Sequence, residues 1–173
     1  MPVSQTSRLT AIWGVGVLLT LLGGLYVIRS IGKKACANLG AAIAAAAFLL
    51  IISAGIFSTV PLFQLSIFVL GIGGGLMTVS NLSFMLEMTV PQAAGLYMGA
   101  WGVANFAGQA VGNIVSGLIR DVAFLVSGNV SVGYIIVFGL EMFGLILAIV
   151  LFREISVSKF REDAKQHLYS GVA

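Results

Sequence analysis

The stretch EMTVPQAAGLYMGAWGVANFAGQAVGN, Glu87–Asn113, starts with an acid and a proline and carries no further charge. An apolar run of this length is a candidate membrane-spanning helix, which needs about 20 residues to cross a hydrocarbon core of about 30 Å. Yet Asn105, Gln109 and Asn113 recur at a spacing of four, in line with Trp101. Residues four apart drift by only about 40° on a helix of 3.6 residues per turn, so the three carboxamides form one slowly winding ridge. The next ridge, Ala100, Ala104, Gly108, Gly112 and Ser116, contains only small side chains.

Composition decides which solvent this helix meets. The 173 residues are 59% hydrophobic and 9% charged, with mean hydropathy +1.08. Soluble domains are about 25% charged, so too little charge is present to cover a water-facing surface. The expected fold is all-α, a polytopic bundle of membrane helices, because lipid offers no partner to an open sheet edge. The single cysteine, Cys36, excludes an internal disulfide and a cysteine-built metal cluster, and the single histidine, His167, excludes a multi-histidine site. No basic patch interleaved with aromatic residues points to nucleic acid. No nucleophile–base pair or cofactor loop points to an enzyme.

Five spans follow from the punctuation of charge and proline: Thr10–Ile28, Ala37–Ile56, Leu62–Ser83, Gly95–Ile119 and Ser131–Phe152. Glu87 and Pro91 separate the third from the fourth, and the residue before a proline avoids the helical region. Residues 1–152 are thus read as the transmembrane bundle and 153–173 as a cytoplasmic tail, with Phe160, Ala164 and Leu168 at helical spacing. Five spans put seven of the nine basic residues on one side: Arg29, Lys33 and Lys34 with Arg153, Lys159, Arg161 and Lys165. Arg8 and Arg120 fall on the other. The positive-inside rule then predicts a cytoplasmic C-terminus and a non-cytoplasmic N-terminus.

Inside the membrane, small residues let helices approach closely where no hydrophobic force drives them together. Gly16 and Gly24, Gly71 and Gly75, and the Ala104–Gly108–Gly112 ridge are the expected packing sites. GIGGG, Gly71–Gly75, lacks the lysine of a phosphate-binding loop and belongs to a span. The carboxamide ridge has two readings: hydrogen bonds between helices, at about 0.6 kcal/mol each, or the lining of a polar path for a ligand. Glu141, in the middle of VFGLEMFGLI, is the one acid deep in a span. An ionised carboxylate there costs at least about 2.5 kcal/mol on insertion scales, so it is expected to face the protein interior or to be protonated. It is either a buried functional acid or a hydrogen-bonding partner of the carboxamide ridge.

The segment MLEMTVPQAAGLYMGAWGVANFAGQAVGNIVSGLIRD, Met85–Asp121, resembles the hallmark segment of the PucC/LhaA family, with AGLYMGAWG (Ala94–Gly102) its most specific part. TSRLTAIWG near the start and GYIIVFGLE in the last span are similar to corresponding family segments. GGLYVIRSIGKK resembles a decayed form of the cytoplasmic loop of the major facilitator superfamily, with Ile28 where an acid is expected. The resemblance implies the last five helices of a twelve-helix facilitator fold, in a truncated or split member whose remaining helices belong to a missing N-terminal part or a partner chain. It implies a (bacterio)chlorophyll-delivery protein of a bacterial inner or thylakoid membrane, assisting assembly of light-harvesting or photosystem complexes. Chlorophyll would be bound transiently, with Asn105, Gln109, Asn113, Glu141 and Trp101 as the candidate pigment path. A facilitator half for another small solute, and a non-transporting structural remnant, are the alternatives.

Overall fold

The computed structural model describes residues 3–89, 91–152 and 154; the reading of Phe160, Ala164 and Leu168 as a tail helix lies outside them. Five α-helices run α1 Val3–Ile31, α2 Lys33–Ile56, α3 Val60–Met88, α4 Ala94–Ser127 and α5 Val130–Phe152, with a 3₁₀ turn Pro91–Ala93 before α4. All five are long and apolar enough to cross a membrane. Each contains one of the five expected spans. Their outer surfaces carry exposed Leu22, Phe106 and Leu125, as lipid-facing helices must. The chain is a multi-pass membrane protein.

The ends of the helices follow local chemistry. Gly32, with φ 84°, is the single residue between α1 and α2, and Gly128, with φ 66°, closes α4. Both lie at positive φ, where a Cβ is penalised. Pro61 occupies the first turn of α3, where a missing N–H is harmless. Thr89 is extended, and Pro91 begins the short turn beyond it.

Helices adjacent in sequence are not always adjacent in space. α3 packs against both α1 and α2, α5 packs on α2, and α4 lies against α5 with a small contact to α3. α1 and α3 are parallel: Gly16 meets the backbone around Phe68 and Gly24 meets Val79. α2 and α3 are antiparallel, with a Cβ on Gly40 falling 2.9 Å from the Gly73 carbonyl oxygen and one on Gly73 falling 2.7 Å from the Ala44 nitrogen. Added Cβ atoms on Gly71 and Gly75 would collide with the Trp13 carbonyl and the Thr20 hydroxyl. Dispersion between closely approaching backbones therefore holds the α1–α3–α2 layer. Its core is small-chained: Cys36, Ala44, Ala47 and Ala54 of α2 with Leu76 and Val79 of α3.

α4 departs from this pattern. It has no buried residue, and a Cβ on Gly108 or Gly112 would meet nothing within 4 Å. Among the described residues no helix closes on the Ala104–Gly108–Gly112 ridge, although Gly112 borders the cleft between α4 and α5, because a helix resting on one principal neighbour cannot bury its other faces. α4 also outruns the expected Gly95–Ile119 span. Its 34 residues extend about 51 Å at 1.5 Å per residue. Arg120 and Asp121 pair at 2.8 Å without interrupting the helix, and Gly133 allows α5 to approach the Arg120 backbone, 2.8 Å from a built Cβ.

Candidate functional site

The antiparallel α4–α5 pair decides which membrane-embedded polar residues meet. Gly133 faces Arg120 near the hairpin. From there the two helices bring Glu141 to the level of Gln109 and Asn113. These three side chains line one cleft of about 320 Å³ with Ser116, Val137 and Leu140. Glu141 also lines a second cleft, about 410 Å³, on the α1–α2–α3 side, with Trp13, Phe48, Met77 and Leu145. It is exposed on the surface of α5, between two largely apolar hollows. Among the described residues it makes no hydrogen bond or ion pair.

The other two candidates stand apart. Asn105 turns its Nδ2 back to donate to the Trp101 carbonyl at 3.1 Å, so its amide serves its own helix. Trp101 lies eight residues from Gln109, about 12 Å along the axis. It lines a different cavity of about 340 Å³ with Asn81, Phe84, Met88, Tyr97 and Phe152. The structure thus gathers Gln109, Asn113 and Glu141 and leaves Asn105 and Trp101 outside that group.

Sequence reasoning passed over Asn81 and Asn38. Asn81 lines both the Trp101 cavity and a smaller hollow of about 170 Å³. Asn38, Met77, Leu145 and Phe152 share that smaller hollow. The clefts therefore follow one another along α5: Glu141, Leu145 and Phe152 each line one or more. An isolated carboxamide near the end of a span was the available signal for both asparagines, and nothing repeated at helical spacing to reinforce it.

The end of the bundle beside the Trp101 cavity is charged and aromatic. Lys33, at the start of α2, pairs with Glu87, near the end of α3, at 2.7 Å. Lys34 stands 6.0 Å over the Phe152 ring, and Phe84 meets that ring edge-on at 5.2 Å. Those contacts gather the α1–α2 junction, the end of α3 and the end of α5 at one end of the bundle. Trp101 and Tyr97 near them fit the aromatic belt of a membrane interface. Among the described residues, no group of three or more His, Cys, Asp or Glu is placed to hold a metal ion.

Comparison with known proteins agrees with the AGLYMGAWG resemblance. The family model described as PUCC protein matches residues 1–160. The protein named Protein PucC of Cereibacter sphaeroides is 30% identical over 156 residues, covering 87% of this chain and 34% of that protein. Protein PucC of Rhodobacter capsulatus is 26% identical over 155 residues, 86% of this chain and 34% of that protein. A second R. capsulatus protein, named for the puhA-bchM intergenic region, is 29% identical over 139 residues, 78% of this chain and 28% of its own length. The chain spans about a third of the length of the curated relatives it matches. No solved structure matches it. On a family match that runs from the first helix to beyond the last, the chain belongs to the PUCC protein family.

Proposed function

We propose that this chain handles bacteriochlorophyll or chlorophyll within the membrane, assisting its delivery to light-harvesting or photosystem complexes or the assembly of those complexes. The observation that carries the reading is the α4–α5 cleft, in which Glu141, Gln109 and Asn113 line one apolar hollow of a family member. A chlorophyll is a flat apolar macrocycle with a central magnesium, and magnesium accepts oxygen ligands. The carboxamide and carboxylate oxygens are of that kind. A few such oxygens in an otherwise apolar wall suit a cargo that must be released again.

The architecture proposed for the whole is of the facilitator type, in which sites lie near the midplane between repeats. The uncovered α4 ridge then receives a further helix, on a longer chain or on a partner. The Lys33–Glu87 end faces the cytoplasm of a bacterial inner or thylakoid membrane, in keeping with the distribution of basic residues.

Titrating the purified full-length chain in detergent micelles with bacteriochlorophyll a, read by absorbance, tests the cleft. Saturable binding is expected, weakened about tenfold (1.4 kcal/mol) in the Gln109→Leu/Asn113→Leu double variant. Equal affinity of the double variant would remove the cleft as the pigment site. Saturable binding of other amphipathic solutes, with none of the pigment, would favour the broader transporter reading.

A further inference from the structure

We infer that the cavity between α1, the α2–α3 junction and α3 binds the anionic headgroup of a membrane phospholipid. The cavity measures about 400 Å³ and lies at the end of the bundle opposite the Lys33–Glu87 pair. Arg8 and Gln5 of α1, Ser58 and Thr59 of the α2–α3 junction and Gln64 of α3 supply its polar lining, while Leu9, Ala54 and Phe63 supply apolar wall. Charge complementarity points to the occupant. Arg8 makes no ion pair or hydrogen bond among the described residues, and no acidic side chain lines the cavity. The other basic residue at this end, Arg120, is matched by Asp121 at 2.8 Å, so among the described residues Arg8 is the uncompensated charge there.

Arg8 is exposed at the rim of the cavity, where its guanidinium can meet an anion, and its planar fork matches phosphate oxygens in a bidentate pair. The carboxamides of Gln5 and Gln64 can donate to the remaining oxygens. The apolar wall continues the site toward the hydrocarbon, which an acyl chain fills and a free ion leaves open. The combination selects a lipid with net negative charge over a zwitterionic one.

Thermal unfolding of the full chain in detergent micelles, followed by tryptophan fluorescence, tests this with added phosphatidylglycerol, phosphatidylcholine or inorganic phosphate. Phosphatidylglycerol is expected to raise the midpoint by about 4 °C more than phosphatidylcholine does, by preferential binding to the folded state. Arg8→Gln is expected to abolish that difference while leaving the midpoint in phosphatidylcholine unchanged, since Arg8 holds no partner among the described residues. Arg29→Gln, at the opposite end, is expected to preserve it. The proposal fails if phosphatidylglycerol gives no advantage, or if its advantage survives Arg8→Gln. It fails equally if inorganic phosphate alone reproduces the shift, because the site would then take a free anion. These outcomes do not depend on pigment binding.

Discussion

Glu141 lies where two clefts flank α5, with Gln109 and Asn113 on one side and Trp13 and Met77 on the other. Its neighbours are apolar in the second cleft and mixed in the first, and whatever enters either cleft meets one carboxyl group. Glu141→Gln keeps the shape and hydrogen-bonding capacity and removes the ionisable proton. We expect this variant to accumulate in membranes at normal levels and to bind bacteriochlorophyll a about tenfold more weakly in the absorbance titration. Glu141→Ala should bind no better. If Glu141→Gln bound normally and only Glu141→Ala lost affinity, the carboxylate would be a structural hydrogen-bonding group. The Lys33–Glu87 pair makes a smaller demand. Both side chains are about one-third exposed (36% and 37%), and such pairs contribute about 0–1 kcal/mol. Glu87→Gln should therefore lower the thermal midpoint only slightly, and the exchanged pair Lys33→Glu/Glu87→Lys should recover it. No recovery in the exchanged variant would show that the pairing itself contributes nothing.

α3 and α4 use glycine differently, although both present small residues four apart. In α3, Gly71 and Gly73 are places where two backbones touch: Gly73 abuts Gly40 and Ala44, and Gly71 abuts Trp13. Gly73→Leu must force α2 away, and overpacking of this kind costs about 1–3 kcal/mol. Gly108→Leu, with nothing within 4 Å of its Cβ position, should leave the unfolding of this chain unchanged. Thermal midpoints of the two variants in the same micelles compare them directly. A large loss in Gly108→Leu alone would mean that a second copy or another helix covers α4 under those conditions. α5 occupies an intermediate position. Phe138 stacks on Phe48 of α2 with centroids 5.8 Å apart, while its other side supports α4, so α5 couples a helix with no buried residue to the packed layer.

As a whole the molecule is a row of helices with α3 and α2 at its packed centre and α4 at its margin. The Lys33–Glu87 and Lys34–Phe152 contacts bring three chain segments to one end, which makes the topology testable. Reporter fusions after Lys34 should read cytoplasmic and fusions within Val122–Val130 should read the opposite compartment. A cytoplasmic signal from Val122–Val130 would overturn the proposed orientation. The number of helices and their approximate limits were legible in residue order, because crossing about 30 Å of hydrocarbon demands about 20 apolar residues and charge is expelled to the ends. The Gly71–Gly75 spacing was legible for a related reason: small residues four apart leave a groove whichever helix fills it. Partner choice was not legible. The same small-residue spacing marks α3, where helices meet, and α4, where the described residues supply none, since a spacing describes one surface and packing requires two. Likewise the carboxamide ridge read as a single line, while the hairpin register joined Gln109 and Asn113 to Glu141 and left Trp101 with Asn81. Residue order by itself determined the membrane solvent, the helices and the small-residue faces, which depend on local length, polarity and volume. Tertiary structure alone decided the helix neighbours and the grouping of polar side chains into clefts, because both depend on how helices distant in sequence are brought into register.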